Sequence, residues 1–261
     1  MSQTPKPSAQ PKAVIPPTIK DVVNTTQFAW FIGHAITLFS GTFYFLTYRA
    51  GGQFNSFCFG LLFLSVVESF GIILYQEYLM GSLSLQPLAL LTDDNVQYVA
   101  LALAFLTILP SVVFAVVPFM IFAVFHILSY SRSTLFPVFG VPSESKISVF
   151  VANFVQTHHD KSVYIGSTFE LITLVWFLLG ALLWRKGYWL GLLIYAYFIK
   201  LRYDKSIITR SVLKSWEVKV DGLVSHPSVP VQVKSTWLQL KQLLKQFGGP
   251  ALDSDASAAR D

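Results

Sequence analysis

The sequence predicts an all-α integral membrane protein with about four membrane-embedded helical segments, followed by amphipathic helices near the C-terminus. Three observations carry that expectation. Of the 261 residues, 53% are hydrophobic and only 13% charged, about half the charged share of a soluble domain. The apolar residues are gathered into long blocks, which is membrane organisation rather than the patterning of a soluble core. The stretch Val231–Phe247, VQVKSTWLQLKQLLKQF, has a helical period and carries three lysines and no acid.

From the N-terminus, Met1–Thr26 (1–26) holds Pro5, Pro7, Pro11, Pro16 and Pro17 among Lys, Ser and Gln. It has nothing with which to build a core and reads as a disordered cytosolic arm. No cleavage pattern of small residues precedes the first apolar run near Phe28, so the arm is no signal peptide. The multi-span membrane domain, 27–200, opens with Phe28–Tyr48 and Phe54–Tyr75. Each is just over twenty residues, roughly 30 Å of helix and one hydrocarbon thickness. Arg49-Ala50-Gly51-Gly52-Gln53 between them is a tight hairpin turn. The third block, Val96–Tyr130, is too long for a straight span, and Pro110 and Pro118 each remove a helical hydrogen bond, so a kinked helix is expected. After a loop, Ser131–Thr168, comes Phe169–Ile199, broken by Arg185-Lys186-Gly187. Either Phe169–Trp184 spans while Tyr188–Ile199 continues along the interface, or the break marks a shallow hairpin.

Lys and Arg placement sets the orientation. Lys6, Lys12 and Lys20 precede the first block, and Lys200, Arg202, Lys205, Arg210 and Lys214 follow the last. Four spans with both termini cytosolic satisfy the rule, and shallow hairpins opening to the cytosol keep the same ends. The Gln76–Asn95 loop runs against it, with Glu77, Asp93 and Asp94 and no Lys or Arg. The Asn24-Thr25-Thr26 sequon would go unglycosylated in either arrangement.

The region 201–250 is basic and cytosolic, with two amphipathic helices. In the first, Ile208, Val212, Trp216, Val220 and Leu223 recur at helical spacing, with Lys219 intruding on the apolar side. The stretch His226–Pro230 separates it from the second. There Val233, Trp237, Leu240, Leu243, Leu244 and Phe247 fall within an arc of about 120°. Lys234, Lys241 and Lys245 take one flank, glutamines take the other, and Leu238 sits among the lysines. Gly248 and Gly249 stop the helix. A basic, Trp-bearing apolar face suits an anionic, curved membrane surface; the alternative is packing on another protein segment. The tail, 251–261, reads as disordered.

Ionisable groups inside apolar blocks are costly, which singles out His34, Glu68, His126 and Glu170. Glu68 facing lipid would cost ~3 kcal/mol, so it should be paired, protonated or turned inward, with His34 or His126 as partner. A proton relay or metal pair is the functional reading; a hydrogen bond between packed helices is the plainer one and is preferred. His158-His159-Asp160 reads as a solvated loop rather than a metal site, and Arg185 and Lys186 as snorkelling cations. There is no phosphate loop, nucleophile elbow or HExxH. No catalytic, cofactor-binding or metal residue is assigned, and no enzyme is expected. A membrane-facing cation stripe explains the basic segments without nucleic acid. The single cysteine, Cys58, excludes an intrachain disulfide.

The run ALLTDDNVQYVALALAFLTILPSVVFAVVPFMIFAVFHILSYSRSTL, Ala89–Leu135, resembles the third hydrophobic region of the transmembrane protein 33 family. The resemblance includes Asp93, Asp94, Tyr98, Pro110, Pro118 and the His126…Tyr130 pair before a basic exit. YAYFIKLRYDKSIITRSVLKSW, Tyr195–Trp216, is similar to that family's exit from its last span. The resemblance implies a tetra-spanning protein of the endoplasmic reticulum and nuclear envelope. It further implies association with reticulon-type shaping proteins, tubule and sheet balance and, in fungal pore-membrane members, nuclear pore distribution. It supplies no catalytic residue. The expected function is therefore to shape or sense membrane curvature, with nucleoporins or a nuclear transport receptor as further partners. The alternatives are a small transporter or channel-like protein built on Glu68, His34 and His126, and a scaffold recruiting a transport receptor through the basic tail.

Overall fold

An apolar segment in lipid has no water to satisfy its backbone, so it must close its hydrogen bonds within itself, as a helix. The computed structural model, which describes residues 18–248 with side chains through Gln242, is helical throughout its regular structure. The proline-rich arm before Thr18 and the acidic tail after Gly248 lie outside the described residues. Helix α1, Ile19–Val23, falls inside the segment read as a disordered arm. It is fixed by Thr18, whose N–H and hydroxyl both donate to Asp21, at 2.9 and 2.6 Å. Helix α2, Thr26–Thr47, is capped by the Thr25 hydroxyl, which accepts from the Phe28 N–H. Helix α3, Gly52–Leu79, starts after a turn in which Gly51 and Gly52 have φ of 64° and 85°, conformations that favour glycine. Helices α4, Pro87–Thr92, and α5, Asp94–Thr107, follow.

The third block is corrected. Val96–Tyr130 is not one kinked helix but two. Helix α5 ends at Thr107, and Pro110 lies in the reversal that follows. A 3₁₀ turn, Val113–Ala115, then leads into α6, Val116–Tyr130. Pro118 stands in the first turn of α6, where its missing N–H costs no helical bond. A π-helical turn, Ser131–Leu135, and the short α7, Phe136–Val138, extend it. The loop expected over Ser131–Thr168 is also mostly helix, because α8 runs over Lys146–Leu182. His158, His159 and Asp160 therefore sit on a helix, exposed, with His158 bonded to the Phe154 carbonyl. Helix α9, Tyr188–Lys205, α10, Ile207–Val224, and α11, Val231–Gly248, complete the described residues.

Three antiparallel hairpins form the bundle. Helices α2 and α3 pair through the Thr37 and Ser65 hydroxyls, 2.8 Å apart, and through Tyr44 on Phe59. Helix α5 returns along α3, with Phe105 stacked on Phe63 and Tyr98 tilted against Phe70. Helix α6 then descends against α2, with Tyr130 on Phe31. Helices α8 and α9 form the third hairpin. It is close enough that a Cβ on Gly180 would strike the Tyr188 ring and one on Gly191 the Phe177 ring. Of the two readings of the Arg185-Lys186-Gly187 break, the reversal is the one observed. Phe63, Phe105, Phe119, Phe177 and Tyr195 fill the centre.

Among the described residues, four helical stretches are long and apolar enough to cross a membrane: Thr26–Thr47, Gly52–Leu79, Val113–Val138 and Lys146–Leu182. Helices α5 and α9 are shorter, about 21 and 27 Å, and run beside them. The chain is an all-α integral membrane protein. Its hairpins turn at one end, through 48–51, 108–112 and 183–187. Helices α1, α4, α10 and both described chain ends gather at the other, the open end, where Gln76 meets Thr26 and Gln27, and Lys205 meets Asp94.

Candidate functional site at the C-terminal hairpin

Helix α10 starts where the Ser206 hydroxyl accepts from the Thr209 N–H at 3.2 Å. Its inner face, with Thr209 and Val212 fully buried and Ile208, Leu213 and Trp216 beside them, lies on the bundle. So the first part of this helix's apolar stripe, Ile208, Val212 and Trp216, is spent on protein, while Leu223 at its end is 72% exposed. His226–Pro230 reverses the chain, and α11 comes back along α10. Glu217 and Asp221 stand four residues apart on one face of α10, and Trp237 and Lys241 four apart on α11, so both pairs meet in register. The Trp237 indole N–H donates to Asp221 at 2.6 Å, and Lys241 Nζ lies 2.8 Å from Asp221 and 3.0 Å from Glu217. Lys214 reaches Glu217 from the other side at 3.0 Å. The Lys241 hydrogen bond holds both carboxyls below the usual carboxylate range, helped at Asp221 by Trp237 and at Glu217 by Lys214. The two carboxylates, Asp221 foremost, raise Lys241 in turn.

This pairing divides the residues read as the membrane-surface site. Lys234, Trp237 and Lys241 are half-buried on the side of α10. Val233 and Leu240, 48% and 45% exposed, stay open. The side chains of Leu243, Leu244, Lys245 and Phe247 lie outside the described residues. Helix α10 thus takes Trp237, at the edge of the apolar arc, and Lys241 on the lysine flank, and leaves Val233 and Leu240 of the arc uncovered. Glu217 and Asp221 were absent from the sequence-based site. Their signal was available in an acid pair at four-residue spacing facing a Trp and Lys pair at the same spacing.

The intramembrane polar residues separate into two groups. His34 and His126 meet between α2 and α6, their rings tilted with centres 4.6 Å apart, and the Trp30 ring lies within 4.9 Å of both. Glu68 accepts from the Ser69 hydroxyl at 3.3 Å and lies against Gly33, one residue before His34. Among the described residues no group of three His, Cys, Asp or Glu side chains is placed to hold a metal ion. Glu170 is elsewhere and has its own partners. The Tyr98 hydroxyl donates to it at 2.9 Å, and Arg202 Nε stands 3.8 Å away, an ion pair too long to be a hydrogen bond. Arg202 also faces Asp94 at 3.5 Å and lies over the Tyr98 ring. Sequence reading counted Arg202 among the cations of the exit. Its position among Lys200, Asp204 and Lys205 at the end of α9 gave no sign of an inward turn.

Residues 10–250 match the family described as transmembrane protein 33/nucleoporin POM33. The chain is 35% identical over 240 residues to "Pore membrane protein of 33 kDa" of Saccharomyces cerevisiae, covering 85% of this chain and 84% of that one. It is 30% identical over 241 residues to "Tetra-spanning protein 1" of Schizosaccharomyces pombe, covering 87% and 86%. It is 28% identical over 253 residues to "Pore and endoplasmic reticulum protein of 33 kDa" of Saccharomyces cerevisiae, covering 86% and 91%. No solved structure matches it.

Proposed function

The chain belongs to the transmembrane protein 33/nucleoporin POM33 family, and from that premise we propose that it is a non-enzymatic protein of the endoplasmic reticulum and nuclear pore membrane that shapes or senses curvature. The relatives' names carry the pore and the reticulum. The observation that supports a curvature role is the asymmetry between the ends of the bundle. Three short turns stand at one end, while α1, α4 and the α10–α11 hairpin crowd the other. A body wider in one leaflet favours bending toward the narrow side. The exposed arc around Val233 and Leu240 adds area to the wide side by burying some 5–10 Å deep in its leaflet. With both termini cytosolic, the wide side faces the cytosol, and the curvature favoured is that of tubules and pore rims. Nucleoporins, reticulon-type proteins and a transport receptor are the partners this reading expects there.

The test is partition of the reconstituted full chain between flat bilayers and narrow membrane tubes drawn from them. Enrichment on tubes is expected, and Val233→Asp with Leu240→Asp should reduce it several-fold, since two charges then enter the buried face. Equal density of the native chain on tubes and flat membrane defeats the curvature reading. Protease treatment of sealed microsomes checks orientation: tags at both ends should be removed, and protection of either overturns the cytosolic assignment.

A further inference from the structure

Between α3 and α5 the chain runs from Tyr78 to Thr92, YLMGSLSLQPLALLT, without a charged residue. A connector in water is ordinarily polar. This one exposes Leu79, Met80, Leu85, Leu88 and Leu91, with Leu88 75% exposed. In α4, Leu88 and Leu91 are three residues apart and share the outward face, while Ala89 and Leu90 are half-buried. Pro87 opens the helix and fixes its start.

The feet of the connector stand on a polar belt at the open end. Gln76 bonds Thr26 and Gln27, Glu77 accepts from Asn95 at 3.2 Å, and Lys205 donates to the Thr92 carbonyl at 3.1 Å. The acids flanking the connector are all engaged locally: Glu77 with Asn95, Asp93 with the Val96 N–H, Asp94 with Arg202 and Lys205. Nothing in the connector offers charge to an anionic headgroup or to a polar protein surface. What it offers is a row of exposed leucine side chains just beyond the end of α3, a helix long and apolar enough to cross a membrane.

We infer that α4 is an interfacial foot whose ligand is the acyl region of the open-end leaflet, with Leu85, Leu88 and Leu91 inserted among the chains. The occupant is lipid because α3, which leads into the connector, is long and apolar enough to cross a membrane and α5, which leaves it, packs along α3, so a leaflet adjoins the connector. The absence of Lys and Arg, which is odd for an aqueous loop on this side, is what insertion requires. This contact is independent of α11 and of curvature preference.

The experiment uses the full chain, purified and reconstituted in phosphatidylcholine vesicles, with an environment-sensitive fluorophore on Leu88→Cys. Cys58, buried in the core at 3% exposure, is the background thiol, and the native chain sets the labelling baseline. Ser143→Cys, exposed in the polar turn before α8, is the aqueous reference. At position 88, quenching by nitroxide-bearing lipid should exceed that at 143 about threefold or more, and quenching by iodide should fall by a similar factor. Leu85→Cys should repeat the pattern, so that one ill-tolerated substitution does not decide the matter. Iodide quenching at 85 and 88 equal to that at 143 overturns the inference. So does shielding present in native microsomes and lost in the vesicles, since a protein would then be the cover.

Discussion

Arg202 and Lys241 do the same thing in two solvents. Each is a cation set between two carboxylates on neighbouring helices: Arg202 with Asp94 and Glu170, Lys241 with Glu217 and Asp221. The Arg202 and Glu170 side chains are 9% and 2% exposed, whereas Lys241, Glu217 and Asp221 are 19%, 24% and 41% exposed; Asp94, at 41%, is the open member of the first cluster. Removing one partner of a buried pair leaves a charge that water cannot reach, at a cost of about 3–5 kcal/mol. A surface pair loses little, because water and salt replace the partner. The first arrangement therefore locks α9 to α5 and α8, and the second holds α11 on α10 reversibly. The geometry is tighter at the surface, so the expected ranking rests on burial and not on distance.

The largest effect that could break this comparison is at Arg202. Arg202→Leu should destabilise the bundle by about 3–5 kcal/mol, because Glu170 keeps its buried site and its Tyr98 bond but loses its cation. Thermal unfolding in detergent measures it, and a melting profile like the native one would mean that the pair does not hold α9. The second effect sharpens the first. Adding Glu170→Leu to Arg202→Leu removes both charges, and should recover most of the loss, to within about 1–2 kcal/mol of the native chain, since apolar packing replaces a desolvated pair. Asp94 remains satisfied by Lys205, 3.3 Å away. If the double variant is as weak as the sum of two single changes, burial of unpaired charge is the wrong explanation.

A smaller effect is expected at the C-terminal hairpin. Glu217→Gln with Asp221→Asn should leave the melting of the bundle unchanged. Amide exchange in α11 should speed up several-fold, while α6 and α8 keep their protection, because surface contacts govern local opening. The same variant should bind anionic vesicles more tightly, as Trp237 and Lys241 are then free to face lipid. Unchanged exchange in α11 would show that something other than these acids holds it.

What was legible in the sequence follows the same division by solvent. The apolar blocks announced helices because lipid leaves the backbone one choice, so the fold class, the 48–51 turn and four crossing-competent helices were readable. The reversal at Pro110 was not, because a proline in an apolar run means a kink or an end according to tertiary packing alone. Nor was the helical state of 146–168, whose His158-His159-Asp160 polarity mimics a loop. For the candidate site, the wheel set out an apolar arc and a lysine flank on α11, of which Leu243, Leu244, Lys245 and Phe247 lie outside the described side chains. It missed that Glu217 and Asp221 occupy that flank, since a wheel describes one helix and the partner lay on another. Glu68 was linked to His34 and His126 by hydrophobic position, while the bonds observed run from Ser69 to Glu68 and from Tyr98 to Glu170.

The smallest expected effect is a plateau in pH. Glu217 and Asp221 are held below their ordinary values of 4.5 and 3.8. A depressed carboxyl contributes its stability above the ordinary value and loses it as pH falls through the lowered one. Lys241 is raised above its ordinary 10.5, so its contribution is complete below that value and lost as pH rises through the raised one. The two edges leave the α10–α11 contact level between about pH 5.5 and pH 9.5. His226, whose Nδ1 accepts from the Ser228 N–H in the connecting turn, is replaced by Gln for this measurement so that no imidazole contributes. Protection of α11 amides, corrected for intrinsic exchange, should then be flat across that window and fall on the acid side below about pH 4. Added salt at pH 7 should lower it, because the pairs are exposed to screening. A step near neutral pH in the His226→Gln chain would mean that a group outside the Lys241, Glu217 and Asp221 set governs the latch.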